Sequence, residues 1–361
     1  MPYSNIDRSS DYFRVKTYTG NGADNRAITF DESTNMQPDF CWFKDRTGAN
    51  SHNLFDVIRG VQKPLLSNST SAELSGYDLF DSFNTNGFTV SGSTADNTNF
   101  NGSSFVNWSW KANGAGVSNT AGTISSTVSA NTTSGFSIVS YTGNGSSSAT
   151  VGHGLGVTPA LVIIKPRDAL SANGHWYVKH KSLASNNNIF LNLTNATTDV
   201  SGQSAGGIGN LSSSSTFGFV NGTSNISSVN VSSGTYIAYC FAEVKGYSKF
   251  GSYTGNGSTD GTFVYTGFKP AFIMLKSSSS GAVGWITHDN KRIGFNPNNY
   301  YVEPNNSNAE SADTDKILLL SNGFKLISTS ASWNSSGGTY IYMAFSENPF
   351  VSSKGIACTA R

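Results

Sequence analysis

The chain has 361 residues, a formal net charge of +1 and only 12% charged residues, against a usual share of about 25%. That length suits two or three compact domains, and the near-neutral balance excludes the basic field that gathers nucleic acid. With 23 Phe, 15 Tyr and 6 Trp, the chain carries the large apolar side chains that disordered segments lack, so its Ser/Thr/Asn/Gly richness reads as a polar surface over folded cores.

The opening stretch "MPYSNIDRSSDYFRV" has no basic region followed by an apolar one, and nowhere do about 18 apolar residues run together. A soluble product of the cytoplasm, with no membrane insertion, is expected. The first recurring element is "TYTGNG" at 17–22, followed by "PDFCWFK" (38–44), "NGFTVSG" (86–92) and a closing strand "FVNWSW" (105–110). A second series follows: "SYTGNG" (140–145), "PALVIIK" (159–165), "FGFVNGT" (217–223) and "YIAYCF" (236–241). A third has "SYTGNG" (252–257), "PAFIMLK" (270–276), "NGFKLIS" (322–328) and "YIYMAF" (340–345).

This order and near-constant spacing describe one unit copied three times, over about 11–113, 134–246 and 247–351, or domains 1–113, 114–246 and 247–361 with bridge and tail included. Short alternating strands between Gly/Asn/Ser turns, without a sustained 3.6-residue period, predict an all-β chain of three tandem antiparallel, jelly-roll-like β-sandwiches. Val106, Trp108 and Trp110 share one strand face, as do Ile237, Tyr239 and Phe241, and Ile341, Met343 and Phe345; that face is expected on the core side. The Pro-to-Lys runs are apolar on both faces, as in a strand covered on either side. Gly-Asn-Gly is expected at a hairpin tip, where positive φ is needed. Between units one and two, Ile124 and Val128 of segment 114–135 suggest a weak strand in an ordered bridge.

Candidate chemistry is sparse. His175 and His180 stand five apart in a predicted strand and so point to opposite faces, while His52, His153 and His288 are scattered without zinc-site spacing. Asp313 and Asp315 lack the further oxygen ligands of a calcium loop. Glu243 and Glu347 match in position, but unit one has Ala112 there, so the paired carboxylates of a glycosidase are not evident. Cys41, Cys240 and Cys358 have no metal or disulfide spacing and read as neutral thiols. Lys44, Lys165 and Lys276 end matching strands and are expected to emerge into water. Sequons such as those at Asn68 and Asn144 follow from composition. No catalytic, cofactor or metal residue is assigned. Trp176 and Trp285, which follow the second strand at similar intervals, are the candidate ligand-binding residues, suited to stacking on a sugar if exposed and to filling a sandwich core if not.

The long motifs "LFDVIRGVQKPLLSNSTSAE" (54–73), "YIAYCFAEVKGYSKFGSYTGNG" (236–257) and "GGTYIYMAFSENPF" (337–350), with the shorter repeats, resemble tail-fibre-like and other virion structural proteins of tailed bacteriophages of marine bacteria and cyanobacteria. The resemblance implies a non-enzymatic virion protein made in the bacterial host, of the tail or tail fibre, contacting other virion proteins and a host-surface glycan or receptor. It also implies a homotrimer. Alternatives are a capsid decoration or head-fibre protein, a polysaccharide-degrading tailspike, and a carbohydrate-binding adhesin.

Overall fold

The computed structural model describes residues 4–92, 98–169, 173–292, 296, 298–349 and 351. The chain is all-β: among the described residues the helical content is two 3-10 turns, Ser9–Asp11 and Val200–Gly202, and no helix is long and apolar enough to cross a membrane.

Every unit builds an inner antiparallel sheet in which its last strand lies between its first and its second, and the second pairs with the third. In unit one these strands, first to last, are Phe13–Thr19, Phe40–Asp45, Asn53–Asp56 and Ser104–Trp110. In unit two they are Phe136–Thr142, Leu161–Pro166, Tyr177–His180 and Thr235–Phe241. Unit three has Ser248–Thr254, Phe268–Ser277, Trp285–Asp289 and Thr339–Pro349. A smaller outer sheet covers one face of each, centred on Gly87–Val90, Thr216–Val220 and Gly323–Leu326. The bridge is ordered: Val117–Asn119 and Ser126–Asn131 widen the inner sheet of unit two to eight strands, and Ile124 makes a parallel bridge to Val151 in its outer sheet.

The two apolar faces of the inner sheets have different destinations. Tyr236, Ala238 and Cys240 of unit two, and Tyr340, Tyr342 and Ala344 of unit three, face their own outer sheets and fill private cores; unit one packs Ile28, Phe43, Phe55, Phe80 and Phe88 in its own. The opposite face, carrying Trp108, Trp110, Tyr239, Phe241, Met343 and Phe345, turns away from the outer sheets. There it joins a fourth core to which all three units contribute. Strand pairing makes Trp110, Phe241 and Phe345 equivalent, each opposite the third residue of its Pro-to-Lys run. Their rings meet pairwise at 6.2, 5.6 and 6.0 Å between centroids, within the range of favourable aromatic contact. Only about 10 Å³ of void remains beside them, near the minimum for one water. The centre is a filled plug.

The hexapeptide does not form a hairpin tip. In each unit it carries the chain from the inner sheet to the outer one, since the strands on either side of it belong to different sheets. A distant asparagine holds it in place. Asn99 Nδ2 donates to Asn21 Oδ1 (3.0 Å) and Asn21 N to Asn99 Oδ1 (3.2 Å). Asn230 and Asn144 repeat the exchange at 3.2 and 3.0 Å, and Asn334 and Asn256 at 2.8 and 2.9 Å. The tyrosine hydroxyls of the hexapeptides, Tyr18, Tyr141 and Tyr253, donate to the carbonyls of Thr98, Val229 and Trp333, each just before the clasping asparagine. The second glycine sits at positive φ (69°, 74° and 68° at Gly22, Gly145 and Gly257), which a Cβ disfavours. The first must be glycine for another reason: a Cβ at Gly20, Gly143 or Gly255 would lie 2.0–2.3 Å from a backbone oxygen. Repetition of the hexapeptide is thus repetition of a crossover clasp.

Candidate functional site

The places where polar chemistry concentrates are the three seams between units. Pairing across the sheets makes Asp56, His180 and Asp289 equivalent, each opposite the third residue of its unit's Pro-to-Lys run. Three residues on stand Arg59, Leu183 and Arg292.

At the seam of units one and two, Asp56 Oδ1 accepts from the backbone N of Ile58 (3.1 Å) and Arg59 (3.0 Å). Its Oδ2 accepts from Arg59 Nε (2.6 Å) and from the hydroxyl of Tyr239 in unit two (2.8 Å). Arg59 Nη1 reaches Glu73 (3.2 Å), which also takes two bonds from Arg167 of unit two, both 3.0 Å. The seam of units three and one repeats the set. Asp289 Oδ2 accepts from Arg292 Nε (2.7 Å) and from Trp108 Nε1 of unit one (3.0 Å), and Glu310 joins Arg292 (3.0 Å) to Arg46 of unit one (2.7 Å). Asp56, Arg59, Asp289 and Arg292 have fully buried side chains, so these charges need their partners.

At the third seam the same backbone is present with the charges replaced. Glu73 N donates to Arg167 O (2.9 Å) and Glu310 N to Arg46 O (2.8 Å); here Thr197 N donates to Ser278 O (3.0 Å). His180 stands where the other seams have aspartate, and its Nε2 donates to Tyr342 O (3.2 Å). Burial lowers its pKa to about 4, so it is neutral. The contacts run in one sense, unit one onto three, three onto two and two onto one, so the units close into a pseudo-threefold ring.

Trp176 and Trp285 are not exposed stacking platforms. They are 0% and 2% exposed and belong to the shared central core, not to a sandwich interior. Their indole nitrogens cross the seams, Trp176 to Leu66 O of unit one (2.8 Å) and Trp285 to Phe190 O of unit two (2.9 Å). His52 holds the matching position in unit one and reaches Glu303 O of unit three (3.2 Å).

The three equivalent lysines do not emerge into water either: all are 0% exposed. Lys44 Nζ donates to Asn50 O (2.8 Å) and, across a seam, Ser307 O (3.2 Å). Lys276 reaches Thr194 O of unit two (3.0 Å), and Lys165 reaches Gly174 O beneath the Trp176 ring. Burial lowers Lys44 and Lys276 to about 8 and Lys165 to about 7. Backbone carbonyls of loops accept their hydrogen bonds, which the apolar runs before them do not reveal.

Other candidates are held in structural contacts. Glu243 pairs with Lys181 and Lys249, Glu347 with Lys269 and Asp313 with Lys316. Cys41 and Cys240 are buried, burial pushing Cys41 up to about 12; Cys358 lies outside the described residues. His175, which precedes the third strand, accepts from Asn192 at 2.9 Å. Among the described residues no three His, Cys, Asp or Glu side chains gather as metal ligands. Each seam aspartate already accepts four hydrogen bonds, so it serves as an anchor, not as a proton shuttle.

The seam residues left a signal in the sequence that motif reading missed. Asp-x-x-Arg recurs at 56–59 and 289–292, each following its Pro-to-Lys run at nearly the same distance.

No curated protein and no solved structure matches the chain. A family model described as a domain of unknown function, DUF7483, matches residues 8–349, running through all three units and every seam. The chain belongs to the DUF7483 family.

Proposed function

We propose that the chain is a non-enzymatic structural protein of a bacteriophage particle, placed in the tail or tail fibre and presenting its β-sandwich units to the host surface. The observation that carries this reading is the ring itself. Buried Asp56, Asp289, Arg292, Trp176 and Trp285 bond or link across seams that join the three units, and the long motifs resemble those of virion proteins. A scaffold of this kind displays repeated loops at fixed spacing, which suits many weak contacts acting together. Pseudo-threefold closure also favours a second placement, as a decoration seated on a threefold site of the capsid, because matched symmetry multiplies equal contacts.

Immunogold labelling of intact purified particles tests the reading. Gold on the tail supports it, gold confined to the head moves the protein to the capsid, and unlabelled particles overturn both placements. Release of reducing ends from envelope polysaccharide by the purified protein would overturn the non-enzymatic part.

A further inference from the structure

Three copies of one scaffold act as internal controls for one another, and their outer sheets differ on the face turned to solvent. In unit three, Phe263, Lys325 and Leu318 lie abreast across that sheet, as do Tyr265, Gly323 and Leu320. The intervening Val264, Phe324 and Leu319 point into the private core, so the first two rows face outward. Phe263 and Tyr265 are 45% and 58% exposed. At the matching row of unit one stand Ala27, Thr89 and Ser82, with Asn84 donating to Thr89 Oγ1 (3.0 Å). Unit two has Thr150 and Gly152 at the aromatic positions, and the bridge covers that edge through Ile124. At these two positions one unit of three therefore carries an exposed aromatic pair that the other two lack.

We propose that this face of unit three binds an uncharged saccharide, with Phe263 and Tyr265 stacking on the C–H faces of its rings. The inference rests on the host-contact reading and gives it a place and a ligand class. Leu320 connects the pair to an open cleft of about 720 Å³ that Lys269, Ser321, Asn322 and Glu347 also line. These amide, hydroxyl and charged groups supply the donors and acceptors that sugar hydroxyls require. The two aromatic side chains leave roughly 200 Å² exposed, and even with the partly buried Leu318 and Leu320 of the same rows the apolar patch stays well short of the about 800 Å² per partner that a standard protein interface buries. That area matches a short stretch of sugar rings. The one charge in the aromatic rows, Lys325, is paired with Asp260, so the face offers no free charge to an anionic ligand.

Part of the role of Phe263 is structural. A Cβ at Gly323, diagonal to it on the neighbouring strand, would lie 3.1 Å from its ring, so the ring fills space over that glycine. Tyr265, the more exposed of the two, is therefore the sharper probe.

The test uses the full-length protein on an array of neutral bacterial polysaccharides with an acidic series beside it, followed by titration of the strongest neutral hit. The expected result is binding that changes little between about 0.05 and 0.5 M salt and weakens about tenfold in Tyr265→Ser. It should weaken further in Phe263→Ser and stay unchanged in Thr89→Ala of unit one, with melting temperature recorded for each. Binding to no neutral polysaccharide overturns the inference, as does equal binding by a folded Tyr265→Ser. So does light scattering in which Tyr265→Ser abolishes a dimer, which would make the face a protein contact. Particle labelling is independent: a labelled virion protein that binds no sugar leaves the structural reading standing, and a sugar-binding protein missing from particles does the reverse.

Discussion

The charged and the neutral seams of the ring share a backbone and differ in chemistry. Two seams hold a buried Asp–Arg pair, a carboxylate bridging two arginines, and an indole or phenol from the neighbouring unit. The third has His180, Leu183, Thr197, Ser278 and Met343 at those places. Chain connectivity separates them too. Units two and three are joined by the short link between Phe241 and Ser248, units one and two by the long stretch from Trp110 to Phe136, and units three and one by no link. A short covalent link already keeps its two units together at high effective concentration. The specific pairs stand where chain connection is long or absent, which fits polar groups that fix orientation more than they add net stability.

Breaking a charged seam from one side should have the largest effect. Asp289→Ala strips the buried Arg292 Nε of its carboxylate, leaves Arg292 with Glu310 alone as an ionic partner, and is expected to cost about 3–5 kcal/mol in urea unfolding. Trp176→Ala should cost about 3–5 kcal/mol as well, through the cavity it opens in the central plug. His180→Ala at the neutral seam removes the hydrogen bond to Tyr342 O and the one accepted from Ser182 N, leaves no buried charge unpaired, and should cost less, about 1–3 kcal/mol.

Replacing a charged seam whole sharpens the comparison. Asp56→His, Arg59→Leu, Glu73→Thr, Arg167→Ser and Tyr239→Met together rewrite the seam of units one and two in the chemistry of the third. The combined variant should fold and stay within about 2 kcal/mol of the parent, far less than the loss from Asp56→Ala alone. A collapse as large as the single variant's would mean that the neutral seam depends on features beyond these five positions.

The smallest effect is a pH dependence from the buried lysines. Lys165 falls to about 7 in the folded chain against about 10.4 unfolded. Between those values the unfolded state binds the extra proton, so stability rises with pH across that window. The penalty is fully present below about pH 7. Lys165→Met should flatten that rise, by roughly 2–5 °C in melting temperature between about pH 7 and 9.5; an unchanged slope would mean that Lys165 titrates normally.

Local regularities were legible in the sequence, and destinations were not. Spacing of the Pro-to-Lys runs placed equivalent strands correctly because strand pairing and burial leave a short-range pattern. That pattern shows two apolar faces without showing that one meets a sister sheet and the other two foreign units, since those contacts join residues as distant as Trp108 and Asp289. The same limit explains Trp176, Trp285, Lys44 and Lys276, each with a partner across a seam; Lys165 is held by Gly174 nine residues on, in a loop whose path the strand pattern does not show. Aligning unit two on its Gly-Phe pair was off by two residues: Phe217, opposite Val151 and 1% exposed, takes the place of Phe88 and Phe324, while Phe219 is only partly buried. The crossover clasp was hidden because its asparagines come from loops about 80 residues away, beyond any turn rule.

Three sandwiches sealed around one apolar plug cannot melt separately without exposing Trp110, Phe241 and Phe345 to water. Scanning calorimetry of the intact chain measures this directly. The expected result is a single transition whose calorimetric and van't Hoff enthalpies agree; two or three resolved transitions would contradict the shared core.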